Sequence, residues 1–252
     1  MSTPSNDEFY VNYSKMPASY RWFLFKVIPL LVIGVVAFAW LLPGIHNQFN
    51  TGKFQAQSFD GFLVGEPIPH IIVPRPGNTQ AGPAFSRYFL SATNKAGPPQ
   101  RILDQAGQWV TLKGILVSRS NLSMVAVQSA EPIDPPAGVA EVKPDEGNAL
   151  GSYTLEGEIL DGKCYPGIMK PGHTKTHRAC AIRCISCGGP LVFRVQYDGD
   201  VMYFLLADSA GQAVNDRVLD WVADSIRITG EVAQYGDMYV LQADPESYER
   251  LG

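Results

Sequence analysis

One stretch limits what this chain can fold into more than any other. Trp22 to Leu42 reads WFLFKVIPLLVIGVVAFAWLL, with Lys26 as its only charge. At ~1.5 Å rise per residue, a helix of this length covers the ~30 Å hydrocarbon layer of a bilayer. Trp22 and Trp40 fall near its two ends, where indole rings favour the headgroup region, and Lys26 can snorkel to the nearer interface. Pro29 is expected near the start of the helix, where it does little harm. Lys15, Arg21 and Lys26 precede or open the run, whereas Lys53 is the only Lys or Arg between Leu42 and Pro74. The positive-inside rule therefore predicts residues 1–21 in the cytoplasm, a transmembrane helix over 22–42, and everything beyond it exported. The rival is a cleavable signal peptide, because Ala37-Phe38-Ala39 has the small-x-small form of a cleavage site. Against it, the apolar run continues through Trp40-Leu41-Leu42 and the leading segment is long.

The rest of the chain predicts a mainly β fold. Residues 43–59 carry no strong period and read as a tether. Short alternating or β-rich runs then follow in two sets, one within residues 60–128 and one within 152–252. Between them, residues 129–151 hold four prolines and five acidic residues with few large apolar groups, the composition of a linker. The two sets share a pattern near their ends: Val110-Thr-Leu-Lys-Gly114-Ile-Leu-Val aligns with Ile226-Arg-Ile-Thr-Gly230-Glu-Val-Ala. A glycine inside a strand marks a bulge or sharp bend, and sharp coiling closes a five-stranded Greek-key barrel. Val218, Leu219 and Val222 sit at helical spacing, so a short helix over 215–223 is expected to plug the second barrel. The prediction is two OB-like barrels after the membrane helix, the first more degenerate; a single irregular β-sandwich is the alternative.

Residues 157–191 hold all four cysteines, Cys164, Cys180, Cys184 and Cys187, together with His173, His177 and Met169. Lys163, Lys170, Lys175, Arg178 and Arg183 also cluster there, in a chain whose net charge is −4. Such a field favours thiolate, the form that attacks or ligates metal. Cys184-Ile-Ser-Cys187 is followed by Gly188, where covalent haem attachment needs His. Rieske pairs are absent, and an iron–sulfur cluster on these thiols is disfavoured outside the cytosol. Two readings remain open. His177, Cys180 and Cys184 share one face if that stretch is helical, and with Cys164 from a strand end they form a Cys₃His set suited to zinc, or with Met169 or His173 nearby to copper. Alternatively the cysteines, with Cys187 as a further partner, form disulfides; closing a loop of ~15 residues stabilises by roughly 3 kcal/mol. Asp161, Met169 and His173 would stand just behind the ligands. His46 and His70 read as ordinary tether or surface residues.

Asp161-x-x-Cys164, Gly167-x-Met169 and His177-x-x-Cys180-Ala-x-x-Cys184 together resemble a family of mostly uncharacterised bacterial proteins, exported or membrane-anchored, with the pattern D-x-x-C … H-x-x-C-A-x-x-C in an OB-like domain. The resemblance covers residues 155–243. It implies that Asp161, Cys164, His177, Cys180 and Cys184 carry over directly, and that Cys187 is an addition to the pattern. It also implies an address on the bacterial inner membrane with the barrels in the periplasm, and company among membrane redox complexes.

No complete catalytic constellation is present. The leading expectation is a non-catalytic accessory subunit of a periplasm-facing respiratory or other redox complex, tied to electron transport, with other membrane subunits as partners and no nucleic acid. The second is a metal-binding or thiol-redox protein using the cysteine cluster. The third is an OB-type ligand-binding module, which predicts exposed aromatics on one barrel face, such as Phe193, Tyr197 and Tyr203.

Overall fold

A computed structural model describes residues 16–48, 53–75, 84–120, 122–137, 139 and 147–252. It resolves into two units, Met1–Gln48 and Phe49–Gly252. Among its described residues the first holds one helix, α1 (Ala18–Gln48). Within it, Ala18–Ile45 has a mean hydropathy of 2.4 and is long and apolar enough to cross a membrane. Its large apolar side chains, such as Phe25, Leu30, Ile33 and Trp40, are exposed on every side. The Lys26 ammonium folds back over the Trp22 ring at 4.8 Å. The helix is longer than the 22–42 expected. Pro29 and Pro43 therefore both lie inside it, each removing one i to i−4 hydrogen bond.

The second unit contains two five-stranded barrels, so the chain is mainly β. The first consists of β1 (Lys53–Val64), β2 (His70–Pro74), β3 (Phe85–Ala92), β4 (Trp109–Arg119) and β5 (Leu122–Pro132), with a short helix α2 (Gln100–Leu103) between β3 and β4. It closes in the order β1-β2-β3-β5-β4. The second consists of β6 (Asn148–Asp161), β7 (Leu191–Tyr197), β8 (Asp200–Ala207), β9 (Ile226–Tyr235) and β10 (Met238–Gln242), and β11 (Glu249–Arg250) adds to the β9 edge. Its ring runs β6-β7-β8-β10-β9, closed by β6 against β9. In both barrels the third and fifth strands pair in parallel and all other pairs in the ring are antiparallel. The first barrel is thus as complete as the second, and not the degenerate copy expected.

The repeated glycines explain the closure. Gly114 on β4 sits at a register shift against β5, where an added Cβ would meet Ala126 O at 2.6 Å. Gly230 on β9 would meet Gln242 O at 2.3 Å. In each barrel the fifth strand crosses the fourth so closely that a side chain has no room, and the sheet coils there. A second correspondence escaped sequence reading: Gly61 pairs with Val110 and Gly157 pairs with Ile226, the same register in the two barrels.

Both predicted spacers carry structure. Residues 43–59, expected as a tether, begin inside α1 and end inside β1. Residues 129–151, expected as a linker, are strand to Pro132 and again from Asn148; residues 138 and 140–146 lie outside the described residues. Strand β5 shows why the barrels do not separate. Val125 and Val127 face the first barrel's own core with Leu63, Leu90 and Leu112. Met124 and Ala126, pointing the other way, join Phe89, Leu122, Leu160, Phe193 and Tyr203 in a core continuous with the second barrel. A strand buried on both faces needs apolar residues at every position, and Met-Val-Ala-Val supplies them. The expected plug over 215–223 is two 3-10 turns, Asn215–Arg217 and Leu219–Trp221, rather than an α-helix. It still buries Val218 and Val222.

Candidate metal centre

The two barrels differ most between their first and second strands. The first barrel crosses there with residues 65–69, and the second with residues 162–190, the whole cysteine segment. Asp161 ends β6 fully buried, and its Oδ1 accepts from the backbone N–H of Lys163 at 2.8 Å and of Cys164 at 3.3 Å. This carboxylate turns the chain out of the strand and sets Cys164 at the mouth of the barrel. A 3-10 turn (Lys175–His177) then leads into α3 (Arg178–Ile185), which buries Ala181, Cys184 and Ile185 along one face. Arg178 ties the start of α3 to Asp224 at 2.7 Å. Asn215 Nδ2 closes its end by donating to the carbonyls of Ile185 (3.1 Å) and Gly189 (2.9 Å).

These elements bring five donors together as two overlapping triads. One ligand atom each from Cys164, Cys180 and Cys184 lies within 4.8 Å of the others, and the same holds for Asp161, Cys164 and His177. Cys164 belongs to both. Its sulfur stands 3.9 Å from that of Cys184, and all four cysteines are free thiols in this structure. Two buried atoms here have no hydrogen-bond partner: His177 Nε2 and Asp161 Oδ2. Buried polar atoms are almost always paired, so two orphans on residues that share a triad with Cys164 mark a place where something else completes the bonding.

The electrostatics agree. The Cys164 thiol is pushed up strongly, first by its hydrogen bond with Cys184, then by burial and by the negative charge of Asp161. Anionic groups gathered in a buried place oppose one another's ionisation unless a cation sits among them. His177 is pushed down by burial against the opposing pull of Asp161, which keeps an imidazole lone pair free to bind metal.

The first barrel also reaches into the site. Lys95, in the turn after β3, donates through Nζ to Cys180 Sγ at 2.8 Å. Lys163 Nζ donates to Ala92 O at 2.5 Å and to Asn94 O. Gly97 N donates to Cys187 O at 2.7 Å, and a Cβ on Gly97 would meet Gly188 O at 2.2 Å, so glycine is needed for the turn to sit there. Arg119, at the end of β4, donates to the carbonyls of Tyr165 and Pro171, both at 3.2 Å, and stacks over the Tyr165 ring at 4.1 Å. Nothing in the local sequence pointed to Lys95, which contacts the site across 85 residues of chain.

Other expected site residues take different places. Asp161 stands among the ligand atoms, closer than the supporting position foreseen, while also making the expected turn. Cys187 lies outside both triads and accepts from Arg183 Nη1 at 2.5 Å. His173 sits 6.2 Å from the Tyr165 ring, with Nδ1 3.5 Å from Glu158 Oε1, away from the sulfurs because the chain turns at Gly172 before reaching α3. Met169 lines a cleft next to Cys164. His70 is buried rather than a surface residue, its Nδ1 donating to Ile68 O at 2.9 Å; burial pushes its pKa down to about 4. Of the aromatics offered as a ligand face, Phe193 and Tyr203 are buried in the core and Tyr197 alone is exposed. No protein-family model matches the chain, and no curated protein matches it.

Proposed function

We propose that this protein binds a soft metal ion, zinc or copper(I), through Cys164, Cys180, Cys184 and His177, with the Asp161 carboxylate at the same centre. The observation that carries the reading is the pair of orphaned buried atoms, His177 Nε2 and Asp161 Oδ2, on two residues that share a triad with Cys164. The donor set suits the choice of ion. Three thiolates favour copper(I), whereas thiolate, imidazole and carboxylate together favour zinc. A bound dication or cuprous ion would replace the thiol protons and relieve the crowding that holds Cys164 protonated. The resemblance of Asp161 to Cys184 to a bacterial exported family supports the same residues, and the flanking charges of α1 favour placing the site on the periplasmic side.

The test is elemental analysis of the full chain purified from membranes, beside Cys164→Ser, Cys184→Ser and His177→Ala variants. About one equivalent of zinc or copper is expected, and loss of most of it in each cysteine variant. Absence of metal under reducing, metal-replete conditions, or retention by the double Cys164/Cys184 variant, would sink the reading. Non-reducing mass mapping of the four thiols separates it from a disulfide staple.

The helix favours a second reading alongside the first. Apolar side chains exposed on every face of α1 suit burial among partner helices as well as lipid. In this reading the protein is an accessory subunit of a redox complex, taking part in electron transport through its partners. Co-purification with stoichiometric subunits after mild detergent extraction is the expected result, and a chain recovered alone argues against it.

A further inference from the structure

An open cavity of about 420 Å³ runs along the junction of the two barrels, beside the thiol cluster. Phe54 and Ile115 of the first barrel form one wall, and Ile168 and Met169 of the cysteine segment form the other. Cys164 closes part of its floor. Two of its walls are large apolar side chains left in water: Ile168 is 74% exposed and Phe54 50% exposed. Elsewhere the junction buries its apolar groups, including Met124 and Leu122. The charge distribution is one-sided. Among the described residues, Lys95 and Lys163 are the only charged ones lining the cavity.

A concave apolar surface with charge of one sign at one side has the layout of a site for a molecule of matching layout. The geometry points to a binding cleft for an anionic amphiphile, a small molecule with an apolar body against Phe54, Ile115, Ile168 and Met169 and an acidic head at Lys95 and Lys163. The volume falls within the ~300–1,000 Å³ of small-molecule sites. Lys95 now donates to Cys180 and is exposed, so an acidic head can reach it from solvent. Lys163 is held by two backbone carbonyls, which fixes its ammonium at the polar side of the cleft. Free fatty acids and lysophospholipids share this chemistry. The assignment is independent of the metal reading, because the apolar walls and the lysines exist with or without an ion at the thiols.

The experiment is photo-crosslinking of the full chain in lipid nanodiscs with a diazirine-bearing octanoate, mapped by mass spectrometry. Labelling is expected on residues 163–169 and on the start of β1, reduced by excess octanoate or by lysophosphatidylglycerol and not by octylamine. Competition by only one of the two acids identifies which source the cleft takes. Ile168→Asp, at an exposed position, is expected to lower labelling about tenfold while leaving the thermal transition and metal content unchanged. Lys95→Glu should lower it comparably, and Lys95→Arg should retain it. Labelling scattered over the barrels, equal competition by octylamine, or undiminished labelling of the Ile168→Asp protein would each overturn the assignment. Loss of metal in the Lys95→Arg protein with labelling retained bears on the metal reading alone.

Discussion

The two barrels are the same framework put to different uses. Strand order, the parallel closure and the crossing glycines agree between them. They part at one connection, residues 65–69 in the first barrel against 162–190 in the second. Each barrel also buries one histidine, and the pair shows the difference in miniature. His70 donates to Ile68 O and serves the packing of the first barrel. His177 keeps a buried Nε2 without a partner, next to Asp161 and Cys164. A scaffold tolerates a long insertion at a loop because closure entropy grows only slowly with length, and such loops are where sites are built on folds.

The comparison breaks most visibly at the sulfurs. Cys184→Ser is expected to abolish metal retention while circular dichroism still shows both barrels; a variant that unfolds would mean that the segment is a structural staple. Next comes pH. His70 titrates near pH 4 when folded and near 6.5 when unfolded, so its stabilising contribution is complete above pH 6.5 and is lost as pH falls towards 4. The full shift corresponds to about 3–3.5 kcal/mol. Denaturant midpoints at pH 7.5 and 4.5 should converge in His70→Gln relative to the parent; an unchanged pH dependence would assign it to other groups.

A smaller effect, about 1–3 kcal/mol each, is expected from Gly114→Ala and Gly230→Ala, because both place a Cβ against a facing strand. Similar losses in chemical denaturation would confirm that the two crossings do the same job. A large loss for one alone would show that the barrels only look alike. Because one of the cores is continuous across both barrels, each substitution should shift a single transition for residues 49–252, not split it. Smallest of all, Cys187→Ser should leave metal content unchanged, since Cys187 lies outside both triads. A measurable loss would bring Cys187 into the site.

Much of the fold was legible because it depends on local pattern. The glycines at 114 and 230 announced the coiled fourth strands, and period-2 runs located most of the strands. The spacers misled for a physical reason. Residues 43–59 lack a strong period and residues 129–151 hold few large apolar groups, yet ladder pairing with β4 and β9 orders residues 53–59, 129–132 and 148–151, and Phe59 joins the first barrel's core. The plug over 215–223 kept its apolar spacing but wound as 3-10 turns. Phe193 and Tyr203 could not be placed on a face until the barrel junction buried them.

The amino-acid order alone determined the apolar helix, since 3.6-residue geometry and bilayer thickness involve no distant partner. It also gathered Asp161, Cys164, His177, Cys180 and Cys184 into one short stretch, at the end of β6 and the connection that follows it. Tertiary structure decided how they meet. It made Cys164 common to two triads, left Asp161 and His177 each with an orphaned atom, and set Cys187 and His173 aside. It also brought Lys95 and Arg119 from the other barrel, because the shared apolar core, not any local motif, holds the barrels together.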